Sequence, residues 1–122
     1  MQIDTDATRA MQATALRERR GPWARLLDSL IALSGGHAQL LRHAERPWSS
    51  ATFAGTRHSV ALLFEGEAAM ARAEHFIEAL PEHEFEIVGQ LVADAAVIEV
   101  KLDMLPSPRF EIEVELLLLE DV

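Results

Sequence analysis

The sequence predicts an α+β fold: N-terminal helices, then a β-hairpin, a further helix and a second long antiparallel hairpin. The hairpins form a mainly antiparallel sheet of four to five strands with helices on one face. Three observations carry that expectation. Apolar residues recur at helical spacing up to about residue 46, the period changes to two from Trp48 onward, and the last 30 or so residues hold two alternating runs separated by "PSPR". No repeat, low-complexity tract or linker divides the chain, so residues 1–122 read as a single domain, with 1–46 a helical part and 47–122 a ββαβββ sheet part.

Each element has its own local reason. Asp4, Thr5 or Asp6 can cap a first helix running to Arg20, where Gly21-Pro22 breaks it. Pro22 suits the first position of a second helix, because its missing N–H would be unpaired there in any case. Trp23, Leu26, Leu27, Leu30 and Ile31 then make one buried stripe, which "SGG" at residues 34–36 ends. "HAQLLRHAER" at residues 37–46 reads as a short third helix. A two-residue turn at Gly55-Thr56 would set Phe53 opposite His58 and Ala51 opposite Val60. Glu67 to Leu80 reads as a helix with Ala69, Met70, Ala73, Phe76, Ile77 and Leu80 inward, stopped by Pro81. Strand character resumes near Glu84, with a bulge or break at Gly89-Gln90. In the last hairpin, pairing Met104 with Phe110 gathers the large aliphatics on one face and Glu99, Asp103, Glu111, Glu113 and Glu115 with Lys101 on the other.

Composition excludes several function classes. The 122 residues contain no cysteine, which removes disulfides, thiolate nucleophiles and Cys-ligated metal centres. No signal-like or membrane-spanning run is visible, so a cytoplasmic location is expected and no membrane role. A net charge of -9 opposes attraction to phosphate backbones, making nucleic acid an unlikely partner. Charge is unevenly placed: residues 1–60 carry eight arginines against five acids, and residues 61–122 three basic groups against fifteen acids. The halves can complement each other within one chain or across a dimer, although water is the ordinary neighbour of an acidic strand face.

Candidate chemistry is sparse. His37 and His43, six apart on the expected third helix, would point about 240° away from each other. They therefore lack the i, i+4 relation of a helical zinc pair, and His75 and His83 belong to polar surroundings, so neither a metal site nor a cofactor is expected. No phosphate loop, nucleophile elbow or H-E-x-x-H motif is present, and Arg17, Arg19 and Arg20 are too few for nucleic-acid binding. No catalytic residue is assigned.

Two polar residues fall on expected apolar faces. His58 shares the parity of Val60, Leu62 and Phe64, and Asp94 that of Val92, Ala96 and Ile98. If their strands adjoin, His58 and Asp94 can line a ligand pocket as a base and its orienting group; a bulge near Ala93 would instead turn Asp94 outward. Ala61, Leu63, Leu117 and Leu119 lie on outer strand faces, and Leu63, Leu117 and Leu119 are the expected homodimer contact. The sequence thus points to an acidic, dimeric binding or assembly module without catalysis, with a possible protein partner. The alternative is a small-ligand-binding protein or enzyme using His58 and Asp94.

Overall fold

A computed structural model describes residues 21–120, and the first helix expected before Arg20 lies outside them. The elements are α1 (Pro22–Leu33), β1 (Gln39–Ser49), β2 (Ala54–Glu65), α2 (Ala69–Ala79), a 3-10 turn at Leu80–Glu82, β3 (Gln90–Asp103) and β4 (Arg109–Glu120). The four strands form one antiparallel sheet in the order β1-β2-β4-β3. The fold is therefore α+β as the patterning indicates, with β2 and β4 central and β1 and β3 at the edges.

The stripe on α1 forms as its spacing requires. Leu26 and Leu30 are fully buried and Trp23 and Ile31 pack beside them. The helix ends in a Schellman motif: the Gly36 N–H bonds to the Ile31 carbonyl at 2.9 Å and the Gly35 N–H to that of Ala32 at 3.0 Å. Both glycines have φ of 82°, which a side chain would disfavour. Beyond them the chain is extended. Residues 37–46, expected as a third helix, contribute instead to β1, which pairs along its length with β2. Helix-forming Leu, Ala, Arg and Gln residues yield here to cross-strand pairing, because propensity differences are only tenths of a kcal/mol per residue. Pro47 fits this edge strand, where a missing N–H breaks no central ladder.

The first hairpin turns earlier than Gly55-Thr56. Ser50 closes a loop over Ser50–Phe53, its N–H bonding to the Phe53 carbonyl at 2.8 Å and its Oγ accepting from the N–H groups of Phe53 and Thr52. Gly55 lies inside β2, opposite Trp48, and serves another purpose: a Cβ built there would sit 2.0 Å from the Leu118 carbonyl oxygen. Glycine lets the two central backbones approach.

The helices cover one sheet face. Val60, Leu62 and Phe64 of β2 and Phe110, Ile112, Val114, Leu116 and Leu118 of β4 form its floor, with Leu26, Leu30, Phe76 and Leu80 above. On α2, Ala69, Ala73 and Phe76 turn inward as expected, but Met70 is exposed. The second hairpin is shifted by two residues from the expected register, with Leu102 opposite Phe110 and Val100 opposite Ile112. Irregularities between Val92 and Asp94 and between Val97 and Glu99 change the parity of β3 twice. Strand pairing between Glu84 and Gly89 reduces to one bridge, Ile87 with Gln90.

Candidate functional site

Antiparallel neighbours directly opposite each other share a sheet face, so the strand register locates the site residues. Glu45 lies opposite His58, and His43, two residues before Glu45, lies opposite Val60. The alternation of β1 and the early turn at Ser50 thus bring His43, Glu45 and His58 together on the helix-covered face. Trp23, in the first turn of α1, lies flat over His43 with ring centres 3.4 Å apart and planes within 1°.

The two imidazoles meet head-on. His43 Nε2 and His58 Nδ1 are 2.9 Å apart, the ring centres are 5.2 Å apart and the planes agree within 12°, so a single N–H···N bond lies in a shared plane. Glu45 Oε2 stands 3.6 Å from His58 Nδ1 and 3.8 Å from His43 Nε2. Three atoms so separated leave a point about 2.0 Å from each, which is a zinc–nitrogen or zinc–oxygen bond length.

Burial sets the charge state. Loss of solvation holds the His43 and His58 imidazoles below the ordinary histidine value; proximity to His43 lowers His58 further, and Glu45 partly opposes the shift in both. Both rings are neutral at neutral pH. His58 is 2% exposed, and its Nε2 is buried without a hydrogen-bond partner. The tautomer with the His58 proton on Nδ1, donated to His43 Nε2, leaves only a lone pair unpaired in the core and avoids the costlier orphaned N–H. Glu45 is exposed, so the cluster opens to water at the β1 edge.

The expected partner of His58 lies elsewhere. Asp94 pairs with Leu117 while His58 pairs with Leu116, placing the two side chains on opposite faces. The irregularity between Val92 and Asp94 turns Asp94 outward, where it is exposed. A cleft of about 200 Å³ is bounded by Lys101, Leu102, Asp103, Arg109 and Glu111, and another of about 90 Å³ by Ala44, Glu45, Arg46, Arg57 and Ser59. Neither contains His58 or Asp94.

The outer sheet face joins the two charge halves. Arg42 reaches diagonally over Ala61 to Glu111 at 2.6 Å, and Glu115 accepts from Arg57 at 2.8 Å with Arg46 at 3.9 Å. Arginines of the first half thus answer acids of the last strand. Leu63, Leu117 and Leu119, the expected dimer contact, are only 5%, 7% and 8% exposed and offer a partner little surface. β3 and its turn carry a run of exposed large apolar side chains, Ile98, Val100, Leu102, Met104 and Leu105, while Leu40 and Leu41 of β1 are exposed on the opposite edge.

Because residues 39–46 form a strand and not a helix, His43 projects by strand alternation and shares a face with Glu45. The pattern His43-x-Glu45 was legible as two ligands on one strand face; its convergence with His58 needed the hairpin register. Comparisons of the chain with protein-family models, with curated proteins and with solved structures return no match. Among the described residues, no helix is long and apolar enough to cross a membrane.

Proposed function

We propose that this protein is a self-associating binding and assembly module whose subunits join edge to edge along β3. One observation carries the reading: β3 is a 14-residue edge strand whose outer half is both apolar and self-complementary. An edge strand presents unpaired N–H and C=O groups that a second strand can satisfy. Antiparallel pairing of two copies about Val100 sets Ile98 opposite Leu102, Val100 opposite Val100 and Glu99 opposite Lys101, with every pair repeated by the two-fold axis. Exposed aliphatics meet each other, and opposite charges face across the junction. The sheet becomes continuous over both subunits. This moves the self-association surface from Leu63, Leu117 and Leu119 to Ile98–Leu102. A chain without cysteine suits the reducing cytoplasm assigned to it in this reading.

The test is a charge exchange read by light scattering. Glu99→Lys sets lysine against Lys101, and Lys101→Glu sets glutamate against Glu99, so each variant alone shifts toward monomer by roughly tenfold in dissociation constant. Mixing them restores both attractions and yields a heterodimer. Dimers of unchanged stability in both single variants, or a wild-type protein that is monomeric at high concentration, would overturn the reading.

A further inference from the structure

We propose that His43, Glu45 and His58 bind a divalent transition-metal ion of the zinc, cobalt and nickel class at the β1 edge. Four observations on the site converge on this. The three donor atoms lie within 4.8 Å of one another, at separations that suit one ion about 2.0 Å from each. Imidazole lone pairs lie in the ring plane, and these rings already share a plane. Two nitrogens and one carboxylate oxygen match borderline ions and disfavour magnesium or calcium, which take oxygen cages. Glu45 is exposed, leaving the remaining coordination positions open to water.

Metal entry takes the place of the hydrogen bond between the rings and shifts the single His58 N–H proton from Nδ1 to Nε2. Tetrahedral ligands at zinc-bond length stand about 3.3 Å apart, so the 2.9 Å His43–His58 contact must widen by a few tenths of an ångström and the rings must pivot within their plane. For His43 this is a slide beneath the parallel face of Trp23, which preserves their stacking. In that tautomer the His58 N–H sits on Nε2, which has no acceptor. Ligating histidines ordinarily donate that proton to a carbonyl or carboxylate, and loss of such support weakens metal sites about 10–100-fold. The site is accordingly of moderate affinity and exchanges its ion readily.

Cobalt(II) is the probe, because its visible absorption reports coordination directly. Metal-stripped protein titrated with cobalt chloride should saturate at one ion per chain, and zinc should displace it. His43→Ala and Glu45→Gln, both at the accessible edge, should each weaken binding at least tenfold while the far-ultraviolet circular dichroism stays unchanged. The remaining histidines, His37, His75 and His83, stay in place, so binding that persists undiminished in the double variant assigns the ion to them and overturns the proposal. Failure of the wild-type protein to saturate also overturns it. β1 and β3 are opposite edges of the sheet, so this result is independent of dimer formation.

Discussion

At the scale of single residues, polar groups gain their meaning from what faces them across the sheet. Arg42 and Glu111 are two strands apart, and the small side chain of Ala61 between them lets the guanidinium cross. The hydrogen bond from Arg42 holds the Glu111 carboxyl below the usual carboxylate range, helped by the charges of Arg42, Lys101 and Arg109 and opposed by partial desolvation. A carboxyl with a depressed folded value contributes stability above its unfolded value and loses it as pH falls through the folded one. Carbon-detected NMR titration should therefore show Glu111 ionising at lower pH than an ordinary glutamate. Arg42→Ala should move it upward; an unchanged midpoint would mean the pair is not formed in solution. Asp94 shows the limit of residue-level reading. Its parity in the sequence assigns it to the apolar face, and one irregularity after Val92 reverses that. Bulges leave little trace in composition, so the proposed partnership with His58 could not be settled from the pattern.

At the scale of elements, what was legible had strong local causes. The α1 stripe, the glycine stop at residues 35–36 and the inward residues Ala69, Ala73 and Phe76 of α2 all follow from spacing and backbone preference. β1 does not. Its Leu, Ala, Arg and Gln content favours a helix locally, and only pairing with β2 decides otherwise; misreading it also concealed how His43 and Glu45 meet His58. Gly55 is a special position as a strand residue and not as a turn residue. Its role is the close approach of β2 to β4, so Gly55→Ala must push apart two central strands. The expected loss, measured by urea denaturation, is on the order of 2–3 kcal/mol. A turn glycine in a relaxed conformation would lose far less, which makes the experiment a direct discriminator between the two roles.

At the scale of the whole molecule, the sheet has two edges of different character. β1 carries Pro47, an irregularity between Leu40 and Arg42, and several charges, all of which discourage further pairing. β3 offers its aliphatic run instead. Two chains joined along it as proposed would bring together two net charges of -9, a repulsion spread over the whole surface that salt screens more than it does the close Glu99–Lys101 contacts. Raising sodium chloride from about 0.05 to 0.5 M should thus tighten the dimer in sedimentation experiments, as the Debye length shrinks from over 10 Å to a few ångströms. Weakening instead would show that the local pairs dominate. The stack of Trp23 on His43 has a further consequence, an optical one. The chain has two tryptophans, and replacing Trp48 by phenylalanine leaves an indole in contact with the candidate ligand ring as the sole long-wavelength emitter. A paramagnetic ion arriving at that ring would quench the emission, so this single-tryptophan variant would carry its own fluorescence gauge of the proposed metal site.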